Sequence, residues 1–182
     1  NYMAKKIEET QKSIIEFQKN PSLNQGEIEK LSAINLKASK LLTEIEYRKM
    51  IDIFFEENVS KIDESSAPFF NKIMHECFKN EELLAYWEKK TEALPPESDL
   101  KKKMSEKINM VKIDKFLKRL ETTSTEIDST DIEAMCLQNT FLGGYFKAST
   151  SHLEFEQEKK GVIDKILERI NPEKSDQQDS DE

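Results

Sequence analysis

Apolar residues recur every three or four positions along most of the chain, which is the spacing of an amphipathic helix. The longest such stretch runs from Gly26 to Ala67 and contains no proline and no further glycine. We therefore predict a long central helix over about residues 26–65. Its apolar stripe moves to another face near Arg48, which indicates that the second half of the helix packs against a different partner from the first. The apolar positions are Leu31, Ile34, Ala38, Leu41, Ile45, Phe55, Val59 and Ile62.

A first helix over residues 2–19 precedes the long one. Pro21 interrupts the helical pattern, because proline lacks an N–H group and disfavours helix at the residue before it. The short link over residues 21–25 is typical of an αα-hairpin, so the first helix is expected to pack antiparallel on the first half of the long helix. If the long helix keeps an exposed apolar stripe, we expect that stripe to be a dimer or partner interface. The predicted inner stripe of the first helix consists of Met3, Ile7, Thr10, Ile14 and Phe17.

An aromatic-rich third helix is predicted over about residues 67–92 and is expected to cover the second half of the long helix. Its Tyr86 and Trp87 have two interpretations. They belong either to the core or to an exposed groove that binds a partner helix. The helix ends before Pro95-Pro96, which marks either a boundary between two subdomains or a tight corner within one bundle.

A fourth helix is predicted from Ser98 to about Glu121, and it is basic in an otherwise acidic chain. Its apolar residues form two stripes on different faces, which predicts a bend or a break near Asn109. One interpretation of the basic residues is a solvated face that balances nearby acids. The other is an electrostatic dock for an anionic membrane surface, for phosphoinositide headgroups or for an acidic protein. The candidate anion-binding residues are Lys101, Lys102, Lys103, Lys107, Lys112, Lys115, Lys118 and Arg119.

The C-terminal part of the chain contains an uncharged segment, residues 134–146, which predicts a helix buried on most of its sides. Gly143-Gly144 within it costs helix stability, so it indicates either close packing against another helix or a break. A last helix is predicted over about residues 152–170. Ser151 and Glu154 have the spacing of a capping box at its start.

Together these elements predict an all-α fold, an elongated bundle of about six helices whose long central helix forms an αα-hairpin with the first. Residues 1–94 would hold the hairpin and the aromatic helix, and residues 97–171 the C-terminal helical part. One continuous domain over both is the alternative. Residues 172–182 are acidic and lack apolar residues, so this tail is expected to be disordered.

Composition and charge narrow the classes of function. The chain carries 35% charged residues, more than an average globular domain, with a net charge of -8. This acidic balance argues against a strongly basic nucleic-acid-binding domain, and no stretch approaches the roughly 20 apolar residues of a membrane span. We therefore expect the partner to be another protein or a second copy of the chain, bound through a helix face. An anionic membrane surface is the alternative, and nucleic acid is disfavoured.

The sequence offers no recognisable arrangement for catalysis, a metal or a cofactor. It contains two histidines and two cysteines, and no P-loop or glycine-rich dinucleotide turn. We expect no metal site and no cofactor. The remaining enzymatic alternative is a nucleophilic thiol that would join Cys77 or Cys136 to His75 or His152. Two buried, unpaired thiols fit a reducing, cytoplasmic compartment, and delivery into a host cell stays open.

The composition, rich in Lys, Glu, Asn and Ile, is similar to that of coiled-coil-rich proteins encoded by AT-rich genomes. These include secreted effectors of intracellular bacteria and proteins of protozoan parasites. The resemblance is compositional and brings no residue roles with it. The favoured function is a non-enzymatic helical protein–protein interaction module, such as an adaptor, scaffold or regulator, with an effector-like role among the options. The alternative is a peripheral membrane or phosphoinositide-binding domain that acts through the basic helix at residues 101–119.

Overall fold

The computed structural model describes residues 1–57, 67–123 and 128–172. These residues are 84% helical and form eight helices and no strand, which confirms the predicted all-α bundle. The chain divides into two compact units, Asn1–Ile62 and Asp63–Glu182. The helices of the first unit are α1 (Tyr2–Gln18) and α2 (Gln25–Glu57). Those of the second are α3 (Ala67–Lys79), α4 (Glu81–Glu92), α5 (Asp99–Thr122), α6 (Thr130–Gln138), α7 (Thr140–Thr150) and α8 (Gln157–Ile170).

The first unit is the predicted hairpin, in which α1 packs against α2. A capping box begins α2 immediately after the turn: Glu27 N–H donates to Asn24 Oδ1 at 2.9 Å, and Asn24 N–H donates to Glu27 Oε2 at 3.0 Å. Each side chain satisfies a backbone N–H that has no partner inside the helix. The turn residues therefore set where the long helix starts.

Two glutamines of α1 fix the register of the hairpin. Gln11 Nε2 donates to Ser39 Oγ at 2.7 Å, and Gln18 Nε2 donates to Ser32 Oγ at 3.0 Å. The glutamines are seven residues apart, and so are the serines. Because they pair in opposite chain order, the two helices run antiparallel with the heptad spacing of a coiled coil.

The predicted inner stripe of α1 needs a correction. Ile14 is buried as expected, but Met3, Thr10 and Phe17 are exposed. Each of these three residues comes one position before an inner residue of the helix. The physical reason is the pair of glutamines, whose amides bond across to α2 and therefore turn toward it, which rotates the preceding residues outward.

The second unit is built around α5, which packs against α3 and α4 and also against α6 and α7. The predicted break near Asn109 is absent, because α5 is one continuous helix, and a bend there stays a prediction. Both of its apolar stripes are buried, since helices cover it on two sides. The stripes consist of Leu100, Met104, Ile108, Val111, Ile113, Phe116, Leu117 and Leu120.

Pro95-Pro96 lies at a tight corner between α4 and α5, which pack against each other within the second unit. Ser98 N–H donates to Pro95 O at 3.0 Å, and Ser98 Oγ accepts from Lys101 N–H at 3.4 Å. The serine thus closes the corner and caps α5, as its position before the basic helix predicts.

Two helices predicted as continuous are each divided at an asparagine. Asn80, in extended conformation, separates α3 from α4, and its Oδ1 accepts from Leu83 N–H at 3.1 Å. Asn139 separates α6 from α7 in the same way and accepts from Phe141 N–H at 2.9 Å. Asparagine stabilises a new helix start better than it stabilises a helix interior. The structure therefore has more helices than the six predicted.

Gly143-Gly144 lies inside α7 and does not mark the break. A Cβ atom on Gly143 would lie 3.0 Å from Ile170 Cγ2 of α8, whereas one on Gly144 would meet no atom within 4 Å. The close-packing interpretation therefore holds for Gly143. The predicted cap of the last helix is wrong: Ser151 is the C-cap of α7, and α8 begins at Gln157.

Three expectations remain predictions. The first is the packing of the aromatic helix on the second half of the long helix, which would be a contact between the two units. The end of the long helix beyond Glu57 and the acidic tail from residue 173 onward lie outside the described residues. The compact units divide near residue 62 and not at Pro95-Pro96.

Candidate functional site

Four large apolar side chains, Met3, Phe17, Ile34 and Leu41, form an exposed stripe along the hairpin that we call the apolar flank. Between 49% and 63% of each residue is exposed. The register of the hairpin places Phe17 level with Ile34, and Thr10 level with Leu41. All of them hold the heptad position next to the inner residues, on the side of the seam opposite to the glutamine–serine bonds. The flank therefore combines one face of α1 with one face of α2.

Ile34 and Leu41 were expected on the inner stripe of the long helix, and the structure corrects this. The inner positions of α2 are held by residues such as Leu31, Asn35 and Ala38, which are buried or half-buried. The reason is the register of the two helices. It places the polar Asn35 at the interface between α1 and α2, so Ile34 and Leu41 lie beside this interface. This is the exposed stripe that the sequence linked to a dimer or partner interface.

The hairpin has a small core of its own. Residues 4–18 of α1 contain one fully buried side chain, that of Ile14. Residues 28–45 of α2 also contain one, that of Ala38. An isolated helix as short as α1 is marginal in water and depends on packing for its stability. An additional helix that covers the apolar flank would therefore add apolar burial to a weakly packed hairpin.

Half of the predicted anion-binding cations of α5 are at least partly buried and not free on a single exposed face. Lys101 Nζ donates to the carbonyl oxygens of Glu92 and Leu94, both at 3.2 Å, so it neutralises the C-terminal end of α4. Lys112 Nζ forms an ion pair with Glu88 Oε1. Both ammonium groups therefore have partners inside the second unit.

Two further lysines of α5 lie over aromatic rings. Lys107 Nζ is 5.9 Å from the centroid of Phe70, and Lys118 Nζ is 4.9 Å from that of Phe78, both within the range of a cation–π contact. Binding of an anionic surface by α5 stays a prediction. The exposed members of the basic set are Lys102, Lys103, Lys118 and Arg119.

Trp87 is a core residue. It is fully packed, and its Nε1–H donates to Met104 Sδ at 3.1 Å, which ties α4 to α5. This corrects the idea of Trp87 as an exposed aromatic that binds a partner, because a side chain buried to this extent offers no surface. Tyr86 is half-buried, and Lys90 Nζ lies 5.6 Å from the centroid of its ring. Partner binding by Tyr86 stays a prediction.

A cavity of about 470 Å³ opens in the second unit between α4, α5 and α6. This volume lies within the range of about 300–1,000 Å³ that is typical of small-molecule sites. A neighbouring cavity of about 310 Å³ shares Lys115 and Arg119 with it. The larger cavity is lined by Glu81, Leu84, Lys112, Lys115, Phe116, Arg119, Thr123, Asp128, Asp131, Ile132 and Met135.

The thiols do not have the surroundings of reactive nucleophiles. Both are buried, and burial raises the pKa of Cys77 to about 12 and that of Cys136 to about 11. His75 and His152 are exposed. A thiol nucleophile needs a lowered pKa or an adjacent base, so the Cys–His alternative gains no support from these positions.

In the described part of the chain, no group of three or more His, Cys, Asp or Glu side chains is placed to hold a metal ion. Over the same residues, no helix combines the length and the apolar character needed to cross a membrane.

The sequence predicted an interface only on the condition that the long helix keeps an exposed apolar stripe; it did not predict that residues of α1 join this stripe, and it did not predict the cavity. The flank had a signal in the sequence, because Gln11 and Gln18 match Ser32 and Ser39 at heptad spacing and fix which face turns inward. The cavity had none, since it depends on how three helices distant in sequence come together. No protein-family model, curated protein or solved structure matches this chain.

Proposed function

We propose that the chain is a non-enzymatic helical protein–protein interaction module that binds an amphipathic helix along the apolar flank of its hairpin. The helix is supplied by another protein or by a second copy of the chain. The observation that carries the proposal is the exposure of Met3, Phe17, Ile34 and Leu41 in one stripe that spans both helices.

The chemistry of the flank supports a helical occupant. Two antiparallel helices present a groove along their seam, and an amphipathic helix fills such a groove with side chains at positions i, i+3, i+4 and i+7. Apolar stripes rimmed by polar residues mark interaction surfaces on soluble proteins. The rim here is charged, with Lys6, Lys30, Lys37 and Glu44 around the flank.

The test uses the full chain and the variant with both Ile34→Glu and Leu41→Glu. Self-association is measured by analytical ultracentrifugation over a range of concentrations, and partner binding by cross-linked pull-down. Because a carboxylate placed in an apolar interface has to be desolvated, we expect the double variant to lose at least about tenfold in binding. Its folded stability should change little, since both positions are exposed.

Leu36→Glu is the matched control, because Leu36 is an exposed leucine of α2 that lies outside the flank. It should bind as the unchanged protein does. A strictly monomeric chain that recovers no stoichiometric partner would overturn the proposal. Equal recovery by the double variant and by Leu36→Glu would overturn the assignment to the flank.

The membrane-binding alternative has less support than the helical module. Lys101, Lys112, Lys107 and Lys118 make contacts within the second unit. The ion pair of Lys112 offsets one positive charge, and the other three contacts hold the ammonium groups against the protein, which makes them less available to an anionic surface.

A further inference from the structure

Lys115 is a mostly buried cation whose charge is poorly matched. Its side chain is 16% exposed, and its ion-pair partner within the described residues is Glu81, with Nζ and Oε1 3.8 Å apart. The Glu81 side chain is itself 91% exposed, so solvent screens this ion pair and it stabilises little. Removing an ammonium group from water is costly unless an opposite charge accompanies it.

Within the described residues, no second carboxylate forms an ion pair with Lys115. Glu88, the nearby carboxylate of α4, forms its ion pair with Lys112, one turn earlier on α5. Burial raises the pKa of the Cys77 thiol of α3 to about 12. The charge of Lys115 lowers this pKa by a smaller amount, so the thiol stays neutral. A small anion would give Lys115 a closer counter-charge than Glu81 does.

The cavity of about 470 Å³ reaches this cation. Lys112, Lys115 and Arg119 all line it, and their spacing of three and four residues places them along one face of α5. Its apolar lining residues include the half-buried Met135 of α6, whereas Leu84 and Phe116 are buried and expose little surface to a ligand. A few convergent polar groups over an apolar lining are what small-molecule sites have in common.

Acidic side chains limit which anions fit. Glu81, Asp128 and Asp131 also line the cavity, so a polyanion would meet their repulsion. A ligand with one negative charge can pair with Lys115 in place of the exposed Glu81 side chain, and it brings no second charge toward Asp128 and Asp131. The apolar lining favours a body made of hydrocarbon.

We infer that the cavity between α4, α5 and α6 binds a small amphiphilic carboxylate, with its carboxylate on Lys115 and its hydrocarbon part against Met135 of α6. This site lies within the second unit and uses no residue of the apolar flank. Its failure and the failure of the proposed interaction function are therefore separate results.

Octanoate is the probe. It is titrated into the full chain while amide chemical shifts are followed by NMR, with octanol as the uncharged probe of equal length. We expect saturable shifts around the cavity with octanoate, and at least about tenfold weaker binding of octanol, because a charge-assisted hydrogen bond is lost.

Lys115→Met retains most of the apolar stem and removes the charge. It should weaken octanoate binding at least about tenfold, while Lys115→Arg should retain it. Lys103→Met is the matched control, since Lys103 is an exposed lysine of the same helix that does not line the cavity, and its affinity should be unchanged. Amide spectra of each variant show whether it is folded.

Three results would overturn the inference. The first is the absence of saturable octanoate binding by the unchanged protein, which does not depend on any variant. The second is equal affinity for octanol, and the third is an equal loss in Lys115→Met and Lys103→Met.

Discussion

Gln11 Nε2 donates hydrogen bonds to Ser39 Oγ at 2.7 Å and to the backbone carbonyl of Asn35 at 3.3 Å. One heptad away, Gln18 repeats the pattern with Ser32 Oγ at 3.0 Å. A polar residue inside a coiled-coil seam fixes register at a cost in stability. The seam of the hairpin is thus specified by amides, and the large apolar residues are displaced to its side.

The Gln11–Ser39 bond should show measurable coupling. Gln11→Ala is expected to destabilise the hairpin by about 1 kcal/mol, and the double-mutant cycle with Ser39→Ala should give a coupling of about 0.5–1 kcal/mol. Native-state hydrogen exchange of the α1 amides measures this, because it reports local opening of the hairpin.

Ser13→Ala is the control for that cycle, because within the described residues the Ser13 hydroxyl bonds inside α1, to Glu9 O at 3.1 Å. It should show no coupling to Gln11→Ala. Additive effects of Gln11→Ala and Ser39→Ala would mean that the amide does not hold the register.

The elements that sequence reasoning recovered are those set by local signals. Pro21 ends α1, Ser98 caps α5, and apolar spacing identifies the helices. Asn80 and Asn139 had readable signals as well, since each begins a capped helix, but the apolar pattern runs through both positions and conceals the break. A capping residue affects the backbone at one point and leaves the apolar spacing on both sides unchanged. Apolar spacing alone therefore predicts too few helices.

What sequence reasoning missed depends on contacts between distant residues. The two stripes of α5 suggested a bend or a break because packing on two sides is not visible in one helix. Trp87 could be core or surface until Met104 was seen to receive its N–H. The inner face of α1 was misassigned because apolar spacing takes no account of Gln11 and Gln18, whose hydrogen-bond partners lie on another helix.

The two neighbouring glycines of α7 should respond differently to alanine. Gly144→Ala is expected to stabilise the second unit by roughly 0.5–1 kcal/mol, because the position is open and alanine favours helix. Gly143→Ala should gain less or destabilise, since its Cβ would lie 3.0 Å from Ile170 Cγ2. Urea unfolding followed by the fluorescence of Trp87 measures both, and equal stabilisation would contradict close packing of α7 on α8.

The buried thiols should resist alkylation in the folded protein. Only a thiolate reacts, and folded pKa values of about 12 for Cys77 and about 11 for Cys136 lie above the ordinary 9.0. At mildly alkaline pH the folded thiolate fraction is therefore lower than in the unfolded chain by about 1,000-fold for Cys77 and about 100-fold for Cys136. Peptide mass spectrometry after iodoacetamide treatment, with and without urea, measures this. Rapid modification of folded Cys77 would contradict its burial.

Tyr145 should make the second unit less stable as the pH rises above 10. Its hydroxyl donates to Asp114 Oδ1 at 2.8 Å, which joins α7 to α5. Burial first, and then the bond and the charge of Asp114, raise the pKa of Tyr145 from 10.0 to about 12. Between these pH values the unfolded chain releases the phenolic proton while the folded chain keeps it, so the stability falls with rising pH.

Tyr145→Phe removes both the bond and the titration. We expect a loss of about 1–2 kcal/mol near neutral pH, because the bond is made to a carboxylate. Burial already raises the pKa of Asp114, and the bond from Tyr145 opposes that effect, so the pKa of Asp114 should rise further in the variant. Urea unfolding from neutral pH to above pH 10 and carboxyl NMR of Asp114 test these effects. An unchanged pH dependence of stability in Tyr145→Phe would assign the alkaline loss to other groups, with the two buried thiols as the first to examine.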